Sequence, residues 1–308
     1  MAMIVLSDLF IYPIKSAAGI SVPTADLTAR GLWGDRRYMV VDPAGQFMTQ
    51  RRFPKMALIR PVVTSTVETS TVETSTVNEP AVPSLKVAAP GMDDLFVDPL
   101  NASQEQMVEV WGDRTPALSC GPTAQSWFST FLGTPCQLVY MPESSHRPTD
   151  HGNLGPAEIV SFADAYPYLL LSEASLDGLN QKLIAKQADP VPMNRFRPNF
   201  VVTGDFAPHA EDQWKRIQMG EVTFSVSKPC ARCSVPNVEQ SSGKRTQEPS
   251  RTLATYRAWD KGIWFGQNLI QETSSPQSSP QSRPQSRPQS SPQALGSLSI
   301  GDVVKILD

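Results

Sequence analysis

Short runs in which β-branched or aromatic residues alternate with polar ones recur along most of this chain, and they favour a strand-rich fold. Successive side chains of a strand point to opposite faces, so a period of two is typical of a half-buried sheet. The runs that predict strands are residues 3–14, 38–42, 57–63, 137–141, 199–203, 221–227, 263–270 and 297–307.

Two segments carry a helical pattern instead. The first follows Gly121 and Pro122 and places Trp127, Phe128 and Phe131 on one face. The second opens at Ser172, a suitable N-cap, and carries Leu176, Leu179 and Leu183 with helical spacing. The apolar side chains on both helix faces are interpreted as part of the hydrophobic core. Many strands with few helices predict a β-rich α+β fold.

Two low-complexity segments interrupt this pattern. Residues 64–78 repeat the pentad TSTVE, and residues 274–293 repeat tetrads such as SSPQ and SRPQ. The second segment has no large apolar side chain and cannot build a core, so it is predicted to be a disordered loop, with recognition by a partner left open. Both are interpreted as expansions of surface hairpin loops. A domain boundary is predicted in the polar stretch 142–155, giving domains 1–145 and 146–308.

Composition excludes several classes of protein. A net charge of −3 argues against a general nucleic-acid surface. No run approaches the roughly 18 apolar residues of a membrane span, and the first residues resemble a strand rather than a signal peptide. Four cysteines in 308 residues do not indicate a disulfide framework, so a cytoplasmic location is expected.

The pair Cys230 and Cys233, separated by two residues, is the main chemical signal. Arg232 stands beside Cys233, and a neighbouring cation favours the thiolate that binds metals or attacks. Zinc would need two further ligands, for which Cys120 and Cys136 form no second pair. The pair could also be a thioredoxin-like dithiol, or it could supply a single thiolate to a soft transition metal. The single thiolate fits the scarcity of histidine and cysteine best.

Basic residues recur where predicted strands meet turns, which hints at an anionic ligand in an acidic protein. Arginine forks bind phosphate oxygens in pairs. In the segment RFRPN, Arg195 and Arg197 are predicted to share one face of a starting strand, with Phe196 on the other. The other clusters are Lys15-Ser16, Arg36-Arg37, Arg51-Arg52 and Arg232.

Several blocks resemble the MOSC family, named after molybdenum-cofactor sulfurase. They are most similar to its two-part branch, which includes the mitochondrial amidoxime reducing component and bacterial relatives. The blocks occur in the family order over nearly the whole chain: IYPIKSAAGI, GLWGDRRYMVVD, SFADAYPYLLLSEASLDGLN, NRFRPNFVVTG, AEDQW, KPCARC with the loop to TLATYR, FGQN and SIGDVVKIL.

The resemblance implies an N-terminal β-barrel-like subdomain followed by a MOSC β-barrel, with a molybdenum–molybdopterin cofactor bound between them. It also carries a family-level association with pyridoxal phosphate binding. Cys233 would be the thiolate ligand of molybdenum. The residues implied in holding the cofactor are Lys15, Ser16, Arg36, Ala165, Tyr166, Arg197, Asn199 and Arg232.

The chain departs from the mitochondrial members at two places. Ala165 and Tyr166 stand where those members carry a Thr-Ser pair, so contacts there would come from the backbone or the Tyr166 hydroxyl. Asp164 precedes them, and both a proton-handling catalytic role and a structural turn role stay open. Ala231 replaces the serine before the Arg-Cys pair, and Cys230 matches no ligand position.

The function implied by the resemblance is a molybdenum-dependent oxidoreductase that removes oxygen from N-hydroxylated small molecules. Four cysteines cannot supply a plant-type iron–sulfur motif besides Cys233, so electrons are expected from an external electron-transfer protein. The alternative is a non-catalytic protein that binds or carries the cofactor or its sulfur.

Overall fold

The computed structural model describes residues 3–64, 83–149, 159–272 and 295–308. Strands dominate these residues, as predicted. They are β1 (Ile4–Ile11), β2 (Ile20–Ser21), β3 (Thr24–Thr28), β4 (Gly31–Leu32), β5 (Tyr38–Val41), β6 (Arg60–Thr64), β7 (Ser84–Ala88), β8 (Leu95–Val97), β9 (Glu105–Val110), β10 (Asp113–Ser119), β11 (Gln137–Tyr140), β12 (Tyr168–Ser172), β13 (Phe200–Thr203), β14 (Arg216–Met219), β15 (Val222–Ala231), β16 (Ala258–Trp259), β17 (Gly262–Gln271), β18 (Gly296–Ser299) and β19 (Val303–Ile306).

Both predicted helices are confirmed, as α1 (Gly121–Leu132) and α2 (Glu173–Ala185), and a short α3 (Ser250–Leu253) follows. Ser172 caps α2: its hydroxyl oxygen accepts a hydrogen bond from the backbone N–H of Ser175 over 3.1 Å. Gly133 ends α1 in the left-handed conformation, with φ 70°. The helix boundaries therefore follow from local capping chemistry.

Seven strands close into a barrel in the order β12, β13, β1, β19, β14, β15 and β17, with β17 returning to pair with β12. A ring with an odd number of strands cannot be antiparallel throughout, so at least one neighbouring pair must be parallel. That pair is β12 and β13. Parallel neighbours need a long crossover connection, and α2 supplies it.

Aromatic side chains fill the barrel. Tyr168, Phe200 and Phe224 contact one another with ring centroids 5.3–5.6 Å apart. Along β12 the side chains alternate, so that Leu170 joins the barrel core whereas Leu171 joins a separate cluster with α2 and α3. The strand is buried on both faces, which explains its continuous apolar run.

Two further sheets and α1 form a second core. The sheet β5–β11–β10–β9 and the sheet β6–β7–β8 both contribute side chains to it. Trp127 and Phe128 of α1 are buried in this cluster, as the aromatic stripe predicts. The reverse face of the four-stranded sheet packs around Phe162, which comes from the segment before β12.

Hydrogen bonds between strands cross the predicted boundary at residues 145 and 146. β1 pairs with β13 and β19, so it completes the barrel built mainly from the second half of the chain. β3 pairs with β18 near the other terminus. The division into domains 1–145 and 146–308 stays a prediction.

Some local predictions were wrong. Residues 297–307 form two strands, β18 and β19, because Gly301 turns the chain at φ 95° and Asp302 accepts a bond from the Ser299 N–H. Strands β7 to β10 were not predicted. For β9 and β10 the reason is that both strands are largely polar and that β10 carries Pro116. Arg195 ends a 3₁₀ turn, Met193–Arg195, so it shares no strand face with Arg197.

Residues 65–78 and 274–293, which carry the repeats, lie outside the described residues. The disordered loop predicted at residues 274–293 therefore also lies outside them. Strands β6 and β7, which flank the first repeat, pair antiparallel up to Thr64 and Ser84. This agrees with a hairpin position for the first repeat. Strands β17 and β18, which flank the second, belong to different sheets. Within the described residues, no helix has the length and apolar character needed to cross a bilayer.

Candidate functional site

One cavity of about 140 Å³ brings together the ten residues that the family resemblance implied in cofactor binding or catalysis. We call it the central cavity. Its walls include the ten predicted residues, namely Lys15, Ser16, Arg36, Asp164, Ala165, Tyr166, Arg197, Asn199, Arg232 and Cys233. They come from five separate segments, which local sequence cannot bring together. Their individual roles stay predictions.

The central cavity is strongly cationic although the chain is acidic. Lys15, Arg36, Arg197 and Arg232 line it, and the carboxylates of Asp164 at its wall and of Asp35 behind Arg36 leave an excess of two positive charges. Burial lowers the pKa of Arg197 to about 10, with the charge of nearby Arg36 adding to the effect. Clustered, partly desolvated cations are costly without an anion nearby, so the cavity is suited to an anionic ligand.

Tyr12 and Asp35, which the sequence reasoning did not select, hold two of these cations in place. The guanidinium groups of Arg36 and Arg197 lie 4.6 and 4.3 Å from the centroid of the Tyr12 ring. The Asp35 carboxylate accepts bonds from the Tyr12 N–H at 2.7 Å and from Arg36 Nη1 at 2.5 Å. Both residues fall inside the quoted family blocks, but only the fold reveals that they support the arginines.

Asn199 ties the same arginine to the barrel. Its Oδ1 accepts from Arg36 Nη1 at 3.1 Å and from the Leu169 N–H at 3.2 Å, while its Nδ2 donates to the Phe10 carbonyl. Three of the four hydrogen bonds that an amide can make are therefore used within the protein. Asn199 can offer a ligand one donor at most, so its clearest action is to position Arg36.

Lys15 joins the two halves of the site. The Nζ atom donates to Asp164 Oδ1 at 2.5 Å and to the Phe162 carbonyl at 2.7 Å. Burial lowers the pKa of Lys15 to about 8, although the charge and hydrogen bond of Asp164 oppose the change. Desolvation acts to raise the pKa of Asp164, but the charge and hydrogen bond of Lys15, the hydrogen bond from Trp111 and the charge of Arg36 together outweigh it and hold that pKa well below its usual range.

The Cys230–Cys233 pair lies at the end of β15, where the register with β17 shifts around residue 230. Such irregularities often re-aim side chains at functional sites. Arg232 donates from Nη1 to Cys230 Sγ at 3.1 Å and from Nη2 to the Phe196 carbonyl at 2.7 Å. The arginine expected beside Cys233 therefore contacts Cys230, and Cys233 is exposed as a free thiol.

Backbone conformation marks the same place. Ser16, Arg36 and Arg197 have φ values of 65°, 48° and 58°, in the left-handed region that residues other than glycine seldom adopt. All three line the central cavity. Strained backbone of this kind is often found at functional sites. No pattern in the sequence predicted these φ values.

The remaining predicted residues are also found at the cavity wall. Ala165 and Tyr166 follow Asp164, and Lys228 lies 5.1 Å from the centroid of the Tyr166 ring. Arg195 lies elsewhere: it is buried and donates to the carbonyls of Pro236 and Glu248. Arg197 of the RFRPN segment thus lines the central cavity, whereas Arg195 stabilises the loop after Cys233 through hydrogen bonds.

Two family models match the chain. The MOSC N-terminal beta barrel domain matches residues 3–135, and the MOSC domain matches residues 157–305. The chain belongs to the MOSC family. The central cavity draws residues from both matched segments, so it lies where the two parts of this MOSC protein meet.

Two kinds of curated protein are similar to this chain. Mitochondrial amidoxime reducing component 2 of Bos taurus is 33% identical over 266 residues, which cover 83% of this chain and 73% of that protein. Molybdenum cofactor sulfurase of Oryza sativa subsp. japonica is 32% identical over 274 residues, covering 85% of this chain and 32% of that protein. The Danio rerio sulfurase is 31% identical over 286 residues, covering 87% of this chain. This MOSC protein spans about a third of the length of the sulfurases that it matches.

The residues of the cavity fit a molybdenum cofactor carrying an anionic group. Among residues 3–64, 83–149, 159–272 and 295–308, no group of three or more His, Cys, Asp or Glu side chains is placed to hold a metal ion. A metal bound at Cys233 would need to bring most of its ligands. Arg232, which lines the same cavity, has a buried Nε donor with no partner among the described residues.

Proposed function

We propose that this MOSC protein holds a molybdenum–molybdopterin cofactor at Cys233 and reduces N-hydroxylated compounds with electrons from a separate protein. The observation that carries the proposal is the exposed Cys233 thiol in a cavity with four cations. A thiolate suits a soft transition metal, and the cations suit an anionic cofactor tail. Similarity to the amidoxime reducing components supports the choice of substrate.

In this proposal Cys233 binds the metal, while Lys15, Arg36 and Arg197 bind the anionic part of the cofactor. When bound, the cofactor would supply the two electrons that, with two protons from solvent, convert an N-hydroxyl group to N–H and one water molecule. Tyr12, Asp35 and Asn199 keep the arginines oriented before any ligand arrives. Preorganised cations bind an anion without first losing their own conformational freedom.

Asp164 is better suited to orienting Lys15 than to moving a proton. Desolvation acts to raise the pKa of Asp164, but the charge and hydrogen bond of Lys15, the Trp111 hydrogen bond and the Arg36 charge together hold it well below its usual range, so the carboxylate stays ionised near neutral pH. Its Oδ1 accepts from Lys15 Nζ at 2.5 Å, which keeps the ammonium at the cavity wall for the anionic part of the cofactor.

The test compares Cys233→Ala with Cys230→Ala, since both thiols line the cavity and differ in their contacts. Cys233→Ala is expected to fold, to lose molybdenum in elemental analysis and to lose benzamidoxime reduction. Cys230→Ala should keep most of its molybdenum, because that thiol already accepts a bond from Arg232. Full molybdenum content and activity in Cys233→Ala would rule out the ligand role.

A second candidate is a non-catalytic carrier of the cofactor or its sulfur. Similarity to the sulfurases, at nearly the same identity as to the reducing components, favours it. The carrier would use the same thiol and the same cations, so the discriminating measurement is turnover. A molybdenum-loaded protein that reduces no N-hydroxylated compound with any supplied reductant would favour the carrier. The four unpaired cysteines support the cytoplasmic location proposed for either function.

A further inference from the structure

A second cleft opens beside the central cavity. It has a volume of about 510 Å³ and shares Asp164 and Ala165 with the central cavity. We call it the Trp111 cleft, and its other lining residues are Trp111, Asp113, Arg147, Pro148 and Thr149. Clefts of roughly 300–1,000 Å³ are typical of small-molecule sites. A molecule bound here would lie next to the central cavity, on the other side of the wall formed by Asp164 and Ala165.

Trp111 occupies an unusual backbone position at the rim of this cleft. It forms, with Gly112, the two-residue turn between β9 and β10, and both residues have positive φ, 55° and 94°. This is the signature of a type I′ turn, where Asn-Gly or Asp-Gly is favoured. Tryptophan at positive φ is strained, and its side chain is also 51% exposed. The turn alone does not explain why a tryptophan stands at position 111.

The indole is nevertheless held in one orientation by three neighbours. Its Nε1 donates to Asp164 Oδ1 at 3.0 Å. The Phe47 ring lies 5.2 Å from the indole, and the Arg51 guanidinium lies 4.2 Å from its centroid. These contacts fix a flat apolar surface at the cleft with little rotational freedom left.

The charged groups of the cleft present acceptors rather than free donors. Arg147 is buried, and its guanidinium donates to Asp113 and to the carbonyls of Ser161, Ala163 and Asp164. The carboxylates of Asp113 and Asp164 are half-exposed or more, and each is paired with one cation. The cleft therefore favours a ligand with a flat apolar body and hydrogen-bond donors over an anion.

We propose that the Trp111 cleft is a subsite for a flat aromatic ring and that Trp111 is a specificity-determining residue favouring aromatic over small aliphatic N-hydroxylated substrates. The inference rests on the proposed reductase function for its turnover readout. The indole contacts the aromatic ring of the substrate, and Asp113 and Asp164 accept from its N–H or O–H groups.

The decisive variant is Trp111→Asn, because asparagine suits the positive φ and removes the ring without disturbing the turn. Benzamidoxime and acetamidoxime carry the same reacting group and differ in the ring. We expect the ratio of their kcat/KM values to fall about 3- to 10-fold in Trp111→Asn, with most of the change in the KM for benzamidoxime. The control is Trp259→Asn, an exposed tryptophan contacted by Arg257 and Trp264 that lines neither cavity, and it should leave the ratio unchanged.

Saturation-transfer NMR on the same proteins adds a readout that needs no turnover. Benzamidoxime should bind the wild type and lose binding in Trp111→Asn, while acetamidoxime shows no difference. If the wild type reduces neither compound but this binding pattern is seen, the reductase proposal fails and the subsite stands. If both compounds are reduced and Trp111→Asn affects them equally or not at all, or if the ring-dependent binding is absent, the subsite is overturned.

Discussion

Lys15 Nζ lies 2.5 Å from Asp164 Oδ1, so a buried cation after β1 is tied to the loop that leads into β12. The lysine is 5% exposed, whereas the aspartate side chain is 67% exposed. The pair is therefore asymmetric: solvent screens the carboxylate, but the ammonium depends on it. This relationship sets the charge of the central cavity near neutral pH.

The first prediction concerns pH. Burial lowers the Lys15 pKa to about 8, so the ammonium is present at pH 6.5 and is lost as the pH rises through 8. Retention of molybdenum during dialysis should fall across that range, because one of the cations for the anion disappears. Lys15→Arg keeps its charge at these pH values and should give a flat profile. A wild-type profile that is flat from pH 6.5 to 9.5 would contradict the assignment.

The second prediction concerns Asp164→Asn. Removing the carboxylate leaves Lys15 with the Phe162 carbonyl and without its opposite charge. The midpoint of the same pH profile should therefore move to lower pH, and the free energy of unfolding at pH 7 should fall by about 1 kcal/mol. Urea denaturation and elemental analysis measure the two effects. An unshifted midpoint would mean that the pair does not set the charge of Lys15.

The third prediction compares two changes at Tyr12. Tyr12→Phe removes the hydroxyl that donates to the Pro198 carbonyl at 2.9 Å, and should cost about 1 kcal/mol of unfolding free energy. Tyr12→Leu also removes the ring that Arg36 and Arg197 contact, and should cost about 3 kcal/mol. Only Tyr12→Leu should weaken retention of molybdenum. Equal retention in both variants would show that the ring does not position the arginines.

The fourth prediction concerns Gly19, which approaches the same ring. A Cβ atom at Gly19 would lie 2.5 Å from Cε1 of Tyr12, so the ring or the loop would have to move. Gly19→Ala should lower the free energy of unfolding by about 1–3 kcal/mol. In a Tyr12→Leu background the same substitution should cost less, because the clashing ring is gone. A double-mutant cycle by urea denaturation that gives simple additivity would remove this explanation.

Much of the fold was predictable from local pattern. The alternating runs gave β1, β5, β11 and β13, and the stripes at residues 121–132 and 172–183 gave α1 and α2 with its cap. The polar hairpin of β9 and β10 was not predictable, because its side chains carry a weak apolar alternation. Because this hairpin was not predicted, the position of Trp111 in its turn was not predicted either. A tryptophan is not a residue whose presence indicates a two-residue turn.

The sequence by itself determined which residues to expect at the candidate site. The thiol of Cys233, the cations around it and their placement at strand–turn junctions were all visible in the resemblance to the MOSC family. The tertiary structure decided what these residues contact. It directs Arg232 to Cys230, uses Asn199 within the protein and places Tyr12 against two arginines. The physical reason is that the contact of Asn199 with Arg36 and that of Tyr12 with Arg197 join segments more than a hundred residues apart. The contact between Arg232 and Cys230 depends on the bulge near the end of β15, and the positions of Arg36 and Arg197 depend on strained φ values. They arise only when the barrel closes.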